Sequence, residues 1–208
     1  MAIVVVGGHS RNVGKTSVVA GLIAALPQYQ WTAMKITQYG HGICSREGEM
    51  CDCATADHSW AISEEQNRSG ESDTSRFLVA GAARAWWVRT KQGYLAEAMP
   101  TVRRKLDEAQ NAILESNSIV EFLRPDLYLT VLDPATADFK KSARAFLDRA
   151  DAVILHEGDG STWSDASLKP VAGRSVFRIQ RPQFLTSEIV HFVQKKLESV
   201  VSPRIKAL

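Results

Sequence analysis

A glycine-rich segment near the N-terminus carries the residues whose types and spacing point most directly to chemistry. The segment Gly7–Ser17, GGHSRNVGKTS, follows a β-branched run at Ile3–Val6 and precedes an amphipathic stretch. At such a strand-to-helix turn, small residues let backbone N–H groups surround a phosphate, and the helix N-terminus adds partial positive charge. Lys15 can reach the β- and γ-phosphates of a nucleotide, and the Thr16 hydroxyl can bind Mg²⁺. The segment therefore predicts a phosphate-binding loop (P-loop) for a nucleoside triphosphate with Mg²⁺. The predicted nucleotide contacts are Gly8, Arg11, Asn12, Val13, Gly14, Lys15, Thr16 and Ser17.

The spacing of this loop departs from the strict P-loop pattern, in which four residues separate two glycines. That pattern would place a glycine at position 9, where His9 stands, and Gly8 and Gly14 are instead separated by five residues. In this respect the loop resembles that of dethiobiotin synthetase and its relatives, which also place five residues between the two glycines.

Three further segments occur in the order found in the same superfamily. Met34–Gln38 carries Lys35 and resembles the strand-end lysine of dethiobiotin synthetase and of the molybdopterin-guanine dinucleotide biosynthesis adaptor (MobB) family. Asp73–Ala82 resembles the Asp-Ser-x-Arg…Ala-Gly-Ala segment of the adaptor family, and Ile113–Asn117 resembles an apolar strand that ends in an acid, here Glu115. Over roughly its first 160 residues, the chain is therefore similar to the SIMIBI-class P-loop NTPases, the group that includes signal-recognition, MinD and BioD proteins.

This resemblance implies roles for the side chains around the loop. It implies that Glu115 lies near the phosphates and helps Thr16 to hold Mg²⁺. It also implies that Lys35 contacts the γ-phosphate or an acidic second substrate. Asp73 is a candidate for orienting water or metal, although it could instead cap its own helix. Lys15, Lys35 and Asp73 are therefore the candidate catalytic residues.

The expected reaction is hydrolysis or transfer of the γ-phosphate of ATP or GTP. The resemblance implies a role in the assembly of a cofactor or a metal centre, and it implies a homodimer. Two alternatives stay open. One is a ligase-type transferase like dethiobiotin synthetase, which would act on a small carboxylated substrate. The other is a non-hydrolysing adaptor, in which bound nucleotide gates a metal or a partner protein.

The choice of base depends on the segment that follows a late predicted strand. Proteins that bind guanine often carry Asn-Lys-x-Asp there, and this sequence has His156, Glu157, Gly158 and Asp159. Asp159 occupies the position of the carboxylate that contacts guanine, but His156 and Glu157 replace the asparagine and the lysine. An ordinary acidic turn explains the same residues, so both ATP and GTP stay open.

All three cysteines of the chain lie close together, at Cys44, Cys51 and Cys53, and His58 follows them. Three thiolates and one imidazole make a tetrahedral zinc set, and three thiolates with an outside ligand could hold an iron–sulfur cluster. The spacing matches no standard zinc motif, and three unrelated thiols in a polar loop would give the same sequence. A bound Zn²⁺ or iron–sulfur cluster is therefore a hypothesis beside that alternative.

The composition is that of an ordinary globular domain: 208 residues, 45% of them hydrophobic and 23% charged. The net charge of +2 is too balanced to indicate nucleic acid or a membrane surface as the main partner. No apolar run approaches the roughly 18 residues that a membrane-spanning helix needs. The first residues are typical of a strand and not of a signal peptide, so we expect a cytoplasmic protein.

Apolar runs alternate with amphipathic stretches, which predicts a doubly wound α/β fold with a mostly parallel sheet covered by helices on both faces. We expect one P-loop domain over residues 1–208, with a long insertion without regular structure at about 38–72. The predicted strands are 3–6, 31–36, 85–89, 112–115, 127–132, 152–155 and 176–179. The predicted helices are 15–26, one capped by Asp73 or Thr74 that ends near Ala83, 95–110, 139–150 and one capped by Thr186 that ends at Val201. Three basic residues of the fourth helix, Lys140, Lys141 and Arg144, are interpreted as a solvent-exposed face.

Overall fold

The computed structural model describes residues 1–39, 58–158, 163 and 165–205, and within these residues the backbone forms one eight-stranded sheet with five α-helices. The strands are β1 (Ile3–Gly8), β2 (Trp31–Tyr39), β3 (Trp60–Glu64), β4 (Arg84–Lys91), β5 (Asn111–Glu115), β6 (Leu127–Leu132), β7 (Ala152–His156) and β8 (Ser175–Ile179). The helices are α1 (Lys15–Ala25), α2 (Asp73–Val79), α3 (Leu95–Asp107), α4 (Lys141–Ala145) and α5 (Ser187–Ile205).

The strand order is β3-β4-β2-β5-β1-β6-β7-β8, and every neighbouring pair is parallel except β3 and β4. In the sheet, β5, β2, β4 and β3 lie on one side of β1, and β6, β7 and β8 lie on the other. The direction in which strands are added therefore reverses beside β1, between β5 and β6. Ligands of open α/β sheets bind at the carboxyl ends of the strands where this reversal occurs. The glycine-rich segment after β1 lies at that point.

Helices cover both faces of the sheet, so the predicted doubly wound α/β fold is confirmed. On one face, α1, α2 and α5 contribute to the core cluster that contains Val4 and Val6 of β1. On the other face, α3 packs in the cluster that contains Val5. Because successive strand residues point to opposite faces, a strand buried on both faces is apolar at every position, as Ile3–Val6 is.

The prediction of an insertion without regular structure at 38–72 was wrong at its start and at Trp60–Glu64. β2 continues to Tyr39, and β3 pairs antiparallel with β4 in the register Trp60↔Thr90 to Glu64↔Trp86. Trp60 and Ile62 pack against the core cluster that includes α3. Trp60 and Ile62 alternate with residues on the other face of the strand. In the sequence this short alternation was hidden by the Gly-, Ser- and Glu-rich residues on either side of it.

Two helix predictions also need correction. α2 is capped by Ser72, not by Asp73 or Thr74: the Ser72 Oγ accepts from the Ser75 N–H at 3.0 Å, and the helix ends at Val79. The helix predicted at 139–150 is only α4, followed by a 3₁₀ turn at Leu147–Arg149. β6 has the predicted bounds, and the other predicted strands and helices lie within a few residues of their predicted positions.

None of the helices among the described residues is long and apolar enough to cross a membrane.

Candidate functional site

The turn between β1 and α1 has a backbone that its glycines and Asn12 make possible. Gly14 directly precedes α1 with φ of 93°, and Asn12 has φ of 55°, a left-handed conformation that asparagine tolerates better than most residues. The ring of Phe184 lies against Gly14, where a Cβ would come within 2.3 Å of the ring. Both the dihedral angle and this close approach therefore require glycine at position 14.

Lys15 folds back over this turn. Its Nζ donates to the Ser10 carbonyl at 2.6 Å, so the ammonium spans the concave side of the loop. Burial lowers the pKa of Lys15 to about 8, although Glu115 opposes the change. An anion bound in the loop would restore the charged form, because it supplies the negative charge that burial removes.

Four side chains beside the loop form one continuous chain of hydrogen bonds. The Thr16 hydroxyl donates to Glu115 Oε2 at 2.7 Å, and Lys35 Nζ donates to Glu115 Oε1 at 3.1 Å. Lys35 also forms an ion pair with Asp73 at the start of α2. The structure therefore brings together the predicted residues Lys15, Thr16, Lys35, Asp73 and Glu115, although they come from four separate parts of the chain.

Sheet register explains why Lys35 and Glu115 meet. β5 lies between β1 and β2, and Glu115 at its end is aligned with Val6 on one side and Lys35 on the other. Burial alone would lower the pKa of Lys35, but Glu115 and Asp73 outweigh it and hold this pKa above its usual value. Burial would raise the pKa of Asp73, but Lys35 outweighs it, so this pKa lies below its usual value. Lys35 is thus charged and paired at neutral pH.

Thr16 and Glu115 also offer a donor set for a hard cation. A hydroxyl oxygen and a carboxylate oxygen, 2.7 Å apart, match the oxygen ligands that Mg²⁺ takes from proteins, with water and phosphates as the remaining ligands. The described residues contain no cluster of three or more His, Cys, Asp or Glu side chains that could hold a metal by themselves. The donor chemistry therefore fits a cation shared with phosphate.

Ser17, another predicted nucleotide contact, accepts a hydrogen bond from α2. The Arg76 Nη2 of α2 donates to the Ser17 Oγ at 3.1 Å, and Arg76 also lies 4.0 Å from Asp73. Ser17 and Arg76 therefore join α1 to α2 beside the site.

Asn117 supports the loop in a way that the sequence did not reveal. Its Oδ1 accepts from the Gly8 N–H at 2.8 Å and its Nδ2 donates to the Gly8 carbonyl at 2.9 Å. Because β5 ends at Glu115, this side chain continues the hydrogen-bond ladder along the end of β1. A Cβ on Gly7 would lie 2.4 Å from the same Oδ1, so this close packing also requires a glycine.

His156 at the end of β7 and Arg181 just after β8 also form hydrogen bonds to the loop. The buried His156 places Nε2 2.9 Å from the Val13 carbonyl, which requires Nε2 to be the donor. Arg181 donates to Asp133 at 2.8 Å and to the Asn12 carbonyl at 3.4 Å. His156 therefore supports the loop from the strand end at which guanine-binding proteins often carry asparagine. No local pattern marks the two contacts to the loop in the sequence, because more than 140 residues separate His156 from Val13 and Arg181 from Asn12.

Several predicted residues lie outside the described part of the chain, namely Cys44, Cys51, Cys53 and Asp159. The proposed zinc or iron–sulfur site and the base contact at Asp159 therefore stay predictions. His58 is described and exposed, and its carbonyl accepts from the Tyr39 hydroxyl at 2.8 Å.

The sequence matches no protein-family model and no curated protein. Among solved structures, the chain is similar to LpxK from Aquifex aeolicus in complex with ATP, with 18% identity, a TM-score of 0.48, and coverage of 86% of this chain and 53% of LpxK. It thus spans about half the length of LpxK. It is also similar to HypB from Helicobacter pylori in complex with nickel, with 13% identity, a TM-score of 0.49, and coverage of 95% and 88%.

A third similar structure is MobB from Bacillus subtilis, with 14% identity, a TM-score of 0.43, and coverage of 94% of this chain and 98% of MobB. MobB belongs to one of the families that the sequence motifs resemble, and the likeness concerns the fold. The chain's own topology, with a glycine-rich loop between the switch-point strand and α1, is that of a P-loop NTPase.

Proposed function

We propose that this chain binds ATP or GTP with Mg²⁺ in the β1–α1 loop and hydrolyses the γ-phosphate bond. The observation that carries the proposal is the arrangement of Lys15 and Thr16 at the start of α1. The ammonium of Lys15 folds over the loop, and the Thr16 hydroxyl meets a buried carboxylate at the end of the neighbouring strand. A lysine for the phosphates and an oxygen pair for a cation are what triphosphate binding requires.

Each side chain has a distinct part in this proposal. The backbone N–H groups of Arg11–Gly14 surround the phosphates, and Lys15 offsets the charge that grows on the oxygen between the β- and γ-phosphates. Thr16 and Glu115 would hold Mg²⁺, which neutralises phosphate charge when it is bound. Lys35 contacts the γ-phosphate while Asp73 and Glu115 fix its position.

Hydrolysis then needs only a positioned water molecule. Its oxygen attacks the γ-phosphorus, the bond to the β–γ bridging oxygen breaks, the nucleoside diphosphate leaves, and the water proton passes to the released phosphate. Asp73 is half-exposed and its pKa is lowered by Lys35, so it stays ionised at neutral pH. It can therefore accept a hydrogen bond from the water and orient it, but it is a weak base.

Lys35 pairs with two carboxylates of its own chain, so its third N–H donor remains for one further acceptor, which we assign to the γ-phosphate. A small carboxylated substrate would have to compete for that same donor. We propose a role in cofactor or metal-centre assembly from the sequence resemblance. That role would involve the cysteine segment, which lies outside the described residues.

Phosphate release from Mg-ATP and Mg-GTP tests the proposal. The wild-type chain should release phosphate only with Mg²⁺, and Asp73→Asn should lower turnover at least tenfold while triphosphate affinity changes less. Glu71→Gln, an exposed carboxylate in the same segment, is the matched control and should behave as wild type. Tight binding without any phosphate release would overturn hydrolysis and favour a nucleotide-gated adaptor. An absence of both would overturn the whole proposal.

A further inference from the structure

Lys140 lies on a segment that is tied directly to the β1–α1 loop. Its backbone N–H donates to the His9 carbonyl at 2.8 Å. Two residues earlier, Asp138 Oδ2 accepts from the Ser10 hydroxyl at 2.7 Å. The segment that joins β6 to α4 therefore follows the loop and brings the Lys140 side chain to it.

The interpretation of Lys140 as part of a solvent-exposed face was wrong. Lys140 is partly buried, whereas its neighbour Lys141 is exposed. Burial lowers the pKa of Lys140, and the positive charges of Arg11 and Lys35 lower it further, while Asp138 and Glu115 oppose them. Lys140 also contributes to the lowered pKa of Lys15. The Lys140 ammonium thus lies in the electrostatic field of the phosphate site.

No carboxylate in the described part of the chain forms an ion pair with Lys140. The nearby acids have other partners: Glu115 binds Thr16 and Lys35, and Asp138 binds the Ser10 hydroxyl. A partly buried ammonium without a counter-charge is unfavourable unless a bound anion neutralises its charge. Lys35 differs from Lys140 in this respect, because two carboxylates already neutralise the charge of its ammonium.

We propose that Lys140 is a further phosphate-contacting residue, whose ammonium binds the terminal phosphate of the triphosphate held by the β1–α1 loop. This inference rests on the proposed function. The terminal phosphate is the anion to expect, because the segment that carries Lys140 is hydrogen-bonded to the loop at His9 and Ser10. The electrostatic interactions of Lys140 with Lys15, Lys35 and Glu115 agree with this position. A contact to the terminal phosphate would let the protein distinguish a triphosphate from a diphosphate.

Calorimetric titration of Lys140→Gln tests this inference, with Lys141→Gln as the matched control. The probes are the γ-imido analogues of ATP and GTP, and ADP and GDP, all with Mg²⁺. Lys140→Gln should weaken binding of the triphosphate analogue at least tenfold and diphosphate binding less than threefold. Lys141→Gln should change neither, and Lys140→Arg should restore most of the triphosphate affinity because it restores the charge.

Stability of the ligand-free protein gives a second readout. Lys140→Gln removes an unpaired, partly buried charge, so the thermal midpoint should stay the same or rise, whereas a purely structural lysine would lower it. Equal affinities of Lys140→Gln and Lys141→Gln would overturn the inference, as would equal losses for triphosphate and diphosphate. If the wild-type chain binds no triphosphate, both the proposed function and this inference are wrong. If it binds and Lys140→Gln binds equally well, only this inference is wrong.

Discussion

Lys15 is the residue whose charge depends most on what the loop holds. Its ammonium donates to the Ser10 carbonyl, and burial brings its pKa to about 8. Since the pKa is lower in the folded chain than in the unfolded one, Lys15 opposes folding below pH 8. This penalty is relieved as the pH rises from 8 toward the unfolded value. Bound phosphates would raise the pKa again and hold the proton.

Triphosphate binding should therefore take up a proton in alkaline solution. At pH 9 free Lys15 is mostly neutral and bound Lys15 is charged, so uptake should approach about one proton, whereas near pH 6.5 the Lys15 contribution should be close to zero. Affinity should fall by up to about tenfold per pH unit above pH 8. Calorimetry in buffers of different ionisation enthalpy measures both quantities. Affinity and proton uptake that stay constant from pH 7 to 9 would contradict this account of Lys15.

Thr16 should control the response to Mg²⁺ more than the response to phosphate. Thr16→Ala removes a hydroxyl that could bind the cation but leaves Lys15 in place, so Mg²⁺ should increase triphosphate affinity much less than in wild type. Thr16→Ser keeps the hydroxyl and should keep the Mg²⁺ effect. Titrations with and without Mg²⁺ check this expectation, and an undiminished Mg²⁺ effect in Thr16→Ala would show that the cation binds elsewhere.

The strand β5 has an asparagine at or near each of its ends, and the two side chains form hydrogen bonds to different parts of the protein. Asn117, just beyond the strand, makes two hydrogen bonds to Gly8 in the loop region. Asn111, at the other end, accepts from the Ala2 N–H at 2.8 Å and donates to the Tyr29 carbonyl at 2.8 Å. Both amides join the strand to its surroundings, but only Asn117 touches the loop.

A comparison of Asn117→Asp with Asn111→Asp should therefore distinguish an effect on the free energy of unfolding from an effect on triphosphate binding. Each replaces an amide donor with a carboxylate oxygen that faces a carbonyl, which should cost about 1–3 kcal/mol of unfolding free energy in urea. Only Asn117→Asp should also weaken triphosphate binding, because it displaces the backbone of the loop. Equal effects of the two variants on binding would show that Asn117 acts through general stability alone.

The sequence predicted the elements with strong local patterns and missed those that depend on distant partners. β6 has the predicted bounds because every residue of LYLTVL is aliphatic, aromatic or β-branched, as is typical of a buried strand. The loop was recognised because its glycines and Lys15 are close together in sequence. β3 was missed because its short alternation lies in polar surroundings and depends on pairing with β4. His156 and Asn117 were missed as supports of the loop, because their partners are more than 100 residues away.

At the scale of the whole molecule, the sequence resemblance leads us to propose a homodimer. Light scattering at micromolar concentration should then give about twice the chain mass of 22.9 kDa, with or without nucleotide. Lys141→Gln provides a surface-charge control and should not change the mass. A monomer under both conditions would overturn the proposed homodimer.

Calorimetry with Lys15→Ala shows whether the β1–α1 loop binds a triphosphate. The γ-imido analogues of ATP and GTP would be titrated with Mg²⁺ into the wild-type chain and the variant, after far-UV circular dichroism shows that both are folded. We predict that the wild-type chain binds at least one analogue tightly and that Lys15→Ala loses this binding, because Lys15 is the only lysine within the loop sequence Gly7–Ser17. Equal affinity of the two proteins for both analogues would contradict the account.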